Sequence, residues 1–204
     1  RMTLLLTLPA AVALGLIGVP LVSTLFQHGA FSANDALQTR VALAAYAVGL
    51  TGLISVKILA PAFYSRQDIR TPVRFGIITL IATQLMNLMF IPLLKPWGYG
   101  HAGLALSIGL ASLLNAGMLF AGLRRRDAYI PQKGWAAFAT KLMLAVLAMS
   151  LALWICMGPE KAWLAMNSQV RLIRLGLLIT AGVAAYFATL FALGFRLKDF
   201  KRRV

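Results

Sequence analysis

Six apolar stretches, each long enough to cross a bilayer, follow one another in this chain with only short polar interruptions. A hydrocarbon core about 30 Å thick needs roughly 20 residues of helix. The stretches run from about Thr3 to Phe26, Val41 to Tyr64, Phe75 to Leu94, Ala102 to Leu123, Trp135 to Met157 and Leu175 to Phe195. Inside lipid every backbone amide must bond within the protein, so spans of this length are helices; strands would be about half as long and would alternate in polarity. The expected fold class is all-α: a polytopic membrane helix bundle of six transmembrane helices. Composition agrees, since 60% of the 204 residues are hydrophobic and 12% are charged. That balance excludes an ordinary soluble domain and an intrinsically disordered chain.

The formal net charge is +15, from 20 Lys plus Arg against five Asp plus Glu. Taken alone, such an excess points to a nucleic-acid partner, but its distribution over short loops on two sides of a membrane excludes one. With the first residue on the cytoplasmic side, 13 basic residues fall in inner segments: Arg1, Arg66, Arg70, Arg74, Arg124, Arg125, Arg126, Lys133, Arg196, Lys198, Lys201, Arg202 and Arg203. Five fall in outer segments, Arg40, Lys95, Lys161, Arg171 and Arg174, while Lys57 and Lys141 lie within spans. Both ends of the chain are therefore expected in the cytoplasm. The basic clusters read mainly as topology signals, with membrane lipids carrying anionic headgroups as secondary partners.

A charged residue abuts the first span directly, no Met precedes it, and no signal-peptide order of basic, apolar and small residues is present. The chain is accordingly expected to be the C-terminal part of a longer membrane protein. Its single cysteine, Cys156, cannot form an internal disulfide, and no Cys/His grouping has metal-ligand spacing. No cofactor and no metal are expected. None of the six spans contains Asp or Glu, both histidines fall in outer loops, and no nucleophile-elbow motif occurs. A carboxylate proton relay, paired hydrolytic acids and an enzyme active site are thus not expected.

Several loop residues read as helix punctuation. Ser32 with Asp35 three residues later is a capping-box variant that starts the second helix near Ala33, and Gly29 before it supplies a turn. Thr71 followed by Pro72 reads as an N-cap and first helical residue. The segment KPWGYGHAG joins the third and fourth spans, with Trp97 and Tyr99 at interfacial depth. Within spans, Pro9, Pro20 and Pro61 each remove a helical hydrogen bond and kink the helix unless a neighbour satisfies the freed carbonyl. Three kinked spans favour a moving carrier over a static anchor.

Lys57, in GLISVKILAPAFYSR, is the most informative polar residue within the membrane. Two turns from the cytoplasmic end of its helix, it either snorkels to the interface or faces a wet cavity and an anionic partner. Gly49, Leu53, Ala60 and Tyr64 share its face, the small ones allowing close approach of a helix or ligand. Lys141 is expected to snorkel. Asn87 with Thr83, and Asn115 with Ser107 and Ala111, suit interhelical hydrogen bonds or contact with a ligand. Gly103, Ser107 and Ala111, spaced four apart, form a small-residue packing face. Lys57, Asn87, Ser107 and Asn115 are the substrate or cavity candidates.

The stretch YAVGLTGLISVKILAPAFYSRQDIRTPVRFG resembles the MurJ/MviN family, in which a glycine-containing helix leads to F-Y-A/S-x-x-D-x-x-T-P. Phe63, Tyr64, Ser65, Asp68, Thr71 and Pro72 match that run. Leu25, Phe26, Gly29, Phe31 and Asp35 match the family's L-F-x-x-G-x-F-x-x-x-D, and Asn87, Gly100, Gly103 and Leu104 also fit. The likeness covers the whole chain and is similar to enterobacterial-type members.

This resemblance implies a lipid II flippase of the bacterial inner membrane within the multidrug/oligosaccharidyl-lipid/polysaccharide (MOP) exporter superfamily. Such proteins have fourteen helices: two six-helix lobes and two extra helices. Residues 1–126 would then be the last four helices of the second lobe, and residues 127–204 the extra pair, which borders a hydrophobic groove, with a basic cytoplasmic tail. The implied partners are an undecaprenyl-linked peptidoglycan precursor and the missing N-terminal portion, where most of the family's headgroup-binding arginines reside. Transport of a diphosphate headgroup needs a wet cationic cavity, because its passage through hydrocarbon is prohibitively costly. Two other readings stay open: a polysaccharide-repeat or drug exporter of the same superfamily, and a membrane scaffold for wall synthesis acting through RRRDAYIPQK and RLKDFKRRV.

Overall fold

A computed structural model describes residues 2–27, 31–125 and 134–195. Arg1, Gly29, Arg126, Lys133 and the basic tail from Arg196 lie outside the described residues. Among those described, the chain forms α-helices and one short 3-10 turn, with no strand. The helices are α1 (Met2–Leu16), α2 (Gly18–Phe26), α3 (Ala33–Tyr64), α4 (Arg70–Leu94), α5 (Gly100–Arg125), α6 (Trp135–Met157), α7 (Glu160–Ala165) and α8 (Ser168–Ala192). Five are long and apolar enough to cross a membrane, and six spans result if the bent pair α1 and α2 counts as one. The all-α polytopic bundle expected from the sequence is thus realised.

Three details differ from the sequence expectation. The first span is not one helix: Pro20 has no N–H for the carbonyl of Leu16 and its ring crowds that carbonyl. The helix breaks at Ile17, and its two halves are bent by 74°. The fourth helix starts at Arg70, and Thr71 is not its N-cap; Oδ1 of Asp68 instead accepts the backbone N–H of Thr71 at 3.1 Å. Finally, α8 begins at Ser168, seven residues before Leu175, so Arg171 and Arg174 belong to a helix and not to a loop. The Ser32–Asp35 capping box is present: the Ser32 backbone N–H donates to Oδ2 of Asp35 at 2.8 Å and the Asp35 N–H donates to Oγ of Ser32 at 3.2 Å.

The chain divides into two compact units, one of Arg1–Arg40 with Lys133–Val204 and the other of Val41–Gln132. In the first, α6 turns Phe138, Leu142, Ala145, Met149 and Leu153 inward, and α8 turns Leu175, Leu178, Gly182, Tyr186 and Leu190 inward. These three- and four-residue spacings put each set on one helical face. The helices run antiparallel: Leu153 lies against Gly182, and the Phe138 and Phe195 ring centroids are 6.0 Å apart. Leu5, Ile17 and Val19 complete this core. Pro9 leaves the carbonyl of Leu5 without its helical donor, and the Tyr186 hydroxyl supplies one at 2.6 Å. One hydrogen bond both repairs α1 and fastens it to α8.

The second unit has a smaller aliphatic and aromatic core around Phe63, Leu119 and Leu123. Its helices approach through small residues. A Cβ on Gly49 of α3 would collide with the backbone of Gly109 on α5, and one on Gly52 would come within 2.6 Å of the Leu113 nitrogen. The Ser112 hydroxyl closes this crossing, 2.9 Å from the carbonyl oxygen of Gly49 and 2.7 Å from that of Gly109. On the other side of α5, a Cβ at Gly103 would come within 3.1 Å of the Phe90 carbonyl in α4. Outward faces of α4 remain apolar, with Leu80, Leu85, Leu88 and Met89 exposed, as a lipid-facing helix requires.

Candidate functional site

All four candidates from the sequence lie in the second unit, but their surroundings differ. Lys57 is exposed on α3. Gly49, which the sequence places on its face, is committed to the crossing with α5, as are Gly52 and Phe63, so the small residues serve helix approach. Lys57 stands to the side of this seam. Pro61, four residues on, has no N–H for the Lys57 carbonyl, though α3 continues to Tyr64.

Ser107 is fully buried and its hydroxyl donates to the Gly103 carbonyl one turn back at 2.8 Å. Asn87 and Asn115 are half-buried, and each has a buried side-chain oxygen with no hydrogen-bond partner. Contacts of Gly103 with Phe90 and of Gly122 with Phe75 fix α4 and α5 as antiparallel. Their register puts Asn87 level with Ser107, and Asn115 level with the turn holding Thr79 and Thr83. The seam between α4 and α5 thus carries amide oxygens able to accept hydrogen bonds from a further helix, water or a ligand. Lys141, by contrast, reaches the end of α8, its Nζ 5.8 Å from the Phe195 ring centroid, as a snorkelling lysine does.

A second polar constellation, in the first unit, is absent from the sequence reading. Arg171 is only 6% exposed, and it donates from Nη1 to the Ser23 carbonyl at 2.9 Å and from Nη2 to the Leu164 carbonyl at 3.0 Å. Those acceptors are in the last turns of α2 and α7, where carbonyls lack helical donors and the helix dipoles are negative. Gln27 donates to the same Leu164 carbonyl at 3.2 Å. Arg40 binds Glu160 through two contacts of 3.0 Å each. Trp163, fully buried, donates from Nε1 to the Met157 carbonyl at 2.9 Å, and the Arg174 guanidinium lies 5.2 Å from its ring centroid. A signal for Arg171 was present: stepping back from the inward residues Leu178 and Leu175 by one turn reaches it.

The family described as "Lipid II flippase MurJ" matches residues 1–174. The chain belongs to that family. A Burkholderia cenocepacia protein named lipid II flippase MurJ is 42% identical, the alignment covering 100% of this chain and 39% of that protein. A Vibrio cholerae protein named probable lipid II flippase MurJ is 36% identical over 98% of this chain and 37% of its own length. One from Haemophilus influenzae, with the same name, is 36% identical over 96% of this chain and 37% of its own length. This chain therefore spans less than two fifths of the relatives it matches.

Family membership and the apolar helices together make this a multi-pass membrane protein. The structure also gives the family-like run from Phe63 to Pro72 a physical meaning. Phe63 is 1% exposed beneath Gly122, and its carbonyl accepts the N–H groups of Arg66 and Asp68 at 3.0 and 3.1 Å. Gln67 takes the left-handed φ of 57° that ends α3, Asp68 caps α4, and Pro72 is buried in the first turn, where no helical N–H is needed. The run builds a tight joint between α3 and α4.

Proposed function

We propose that the chain acts, as the C-terminal part of a longer two-lobed protein, in flipping an undecaprenyl-linked peptidoglycan precursor from the cytoplasmic to the periplasmic leaflet. The family match over residues 1–174 carries this reading, and relatives named lipid II flippase extend it to the substrate. Residues 1–126 supply the last four helices of the second lobe and residues 127–204 the extra pair beside the lipid tail. The protein resides in the bacterial inner membrane with both ends of this segment cytoplasmic, a reading supported by the 13 inner against five outer basic residues. Its work is transport by alternating access, without covalent chemistry on the substrate.

Within this reading Lys57 provides a mobile positive charge for the diphosphate, and Asn87 and Asn115, with Ser107 between α4 and α5, offer polar groups to the cavity. Lys57 is exposed in a span, and the asparagine oxygens are unpartnered; an intramembrane cation that has no ion pair among the described residues suits a transient anionic ligand. The test is depletion of the full-length protein from growing cells, followed by measurement of how much lipid-linked disaccharide-peptide is accessible from outside. A fall in the accessible fraction, with precursor accumulating inside, is expected. An unchanged fraction would overturn the reading in favour of another exported substrate or a scaffold.

A further inference from the structure

We infer that Tyr64, the last residue of α3, is a further headgroup-binding residue that packs against the sugar ring next to the substrate's diphosphate. This rests on the transport reading above, in which Lys57 meets the diphosphate and Tyr64 stands at the cytoplasmic end of the helix. Lys57, Pro61 and Tyr64 are spaced four and three residues apart, which puts them on one helical face. All three are exposed, Tyr64 by 50%. The helix runs unbroken through Pro61 to Tyr64, so the cationic and phenolic positions are about 10 Å apart along its axis. In a lipid-linked saccharide the diphosphate joins the tail and the sugars extend beyond it towards water. Lys57, two turns deeper in the span than Tyr64, follows the same order.

The backbone beneath Tyr64 is held while its side chain is not spent. Phe63 turns inward against Gly122, and its carbonyl accepts the N–H groups of Arg66 and Asp68. Among the described residues neither Tyr64 nor Lys57 has a side-chain hydrogen bond, ion pair or ring contact. Tyr186 behaves differently: it is buried and its hydroxyl is committed to the Leu5 carbonyl. The nearest acid along the chain, Asp68, accepts the Thr71 N–H within the joint. Tyrosine presents an apolar ring face and a polar tip. A pyranose ring offers the complement, C–H groups on its faces and hydroxyls at its edge, whereas a lipid tail offers C–H groups alone. The face thus runs from a cation, through the apolar Pro61 ring, to an amphipathic aromatic, the sequence of chemistry along a diphosphate-linked sugar.

An interfacial tyrosine also serves as a plain membrane anchor, and the experiment separates the two roles by asking whether Tyr64 distinguishes a ligand with a sugar from one without. The full-length protein would be placed in phosphatidylcholine nanodiscs. It would be titrated with undecaprenyl diphosphate and, separately, with the same lipid carrying one amino sugar, the bound fraction being read by native mass spectrometry. Parent, Tyr64→Ala, Tyr64→Phe and Lys57→Met would be compared, with melting of each variant as the check on folding.

In Tyr64→Ala the half-saturation point for the sugar-bearing lipid is expected to rise about fivefold while that for undecaprenyl diphosphate stays unchanged. Tyr64→Phe keeps the ring and loses only the hydroxyl, so a rise of about twofold is expected, again for the sugar-bearing lipid alone. Lys57→Met should raise both values alike. If Tyr64→Ala leaves the ratio of the two values unchanged while Lys57→Met raises both, Tyr64 is an anchor: this inference is overturned and the transport reading stands. Binding of neither lipid, or half-saturation indifferent to Lys57→Met and Tyr64→Ala, overturns the role of Tyr64 together with that of Lys57. Should Tyr64→Ala fail to fold, Tyr64→Phe carries the test through the same ratio.

Discussion

The two units solve the problem of packing helices in lipid by different means. The first interlocks large side chains: Trp163, Tyr186, Phe138 and leucines from α6 and α8 fill its core, and its buried cation, Arg171, donates from both terminal nitrogens to helix-end carbonyls. The second brings backbones together through Gly49, Gly52, Gly103 and Gly109, pins the crossing with Ser112, and leaves its intramembrane cation, Lys57, exposed. Lipid tails are as apolar as leucine, so neither unit gains much from hydrophobic burial alone; contact quality and hydrogen bonds decide stability. The difference teaches that one positive charge, Arg171, is consumed by helix-end carbonyls while the other, Lys57, stays exposed.

The sharpest break in this comparison comes from Gly49→Leu. Its Cβ would run into the Gly109 backbone, which cannot rotate away as a side chain can. Loss of about 3 kcal/mol or more is expected, enough to misfold the second unit, as seen in detergent melting and protease sensitivity. Leu178→Ala in the first unit tests a softer failure and is not expected to match it. Next in size is Arg171→Met, which leaves the Ser23 carbonyl without its side-chain donor and the Leu164 carbonyl with that of Gln27 alone. About 2–4 kcal/mol should be lost, again by melting, and equal melting of variant and parent would remove Arg171 from the framework. Tyr186→Phe deprives only the Leu5 carbonyl of its partner. About 1 kcal/mol is expected, in line with interhelical hydrogen bonds in membranes.

How far the sequence reveals all this follows from which signals are local. The spans were legible because backbone satisfaction in lipid forces long apolar helices, and Trp135–Met157 was read with its observed bounds. The Ser32–Asp35 cap was legible for the same reason: donor and acceptor are three residues apart. Pro20 announced a kink but not the 74° bend, whose size depends on how α2 packs against α7 and α8. Arg171 and Arg174 read as loop charges because the polar segment before Leu175 hid the start of α8. Their carbonyl and ring partners lie on α2, α6 and α7, too far along the chain for periodicity to find. For the candidate site, the sequence leaves Lys57 either snorkelling to the interface or facing a wet cavity, and its exposure is compatible with both, while the pairing of Ser107 with Gly103 needs coordinates.

Lys57 gives the smallest expected effect on stability and the cleanest contrast with Arg171. Its ammonium group is exposed, so replacing it by Met keeps the apolar stem, removes the charge and leaves no buried group without a partner. Melting should move by no more than about 0.5 kcal/mol, the range of surface substitutions that touch no special feature. If the proposed role is right, the same variant as the sole copy should impair export of the lipid-linked precursor, while Lys57→Arg restores much of it because the charge is kept. A structural lysine would give the opposite pairing, with export falling only as far as stability falls. Comparing both readouts in Lys57→Met and Arg171→Met therefore separates a charge kept for a ligand from one consumed by the fold. Normal export by folded Lys57→Met would remove this lysine from the transport path.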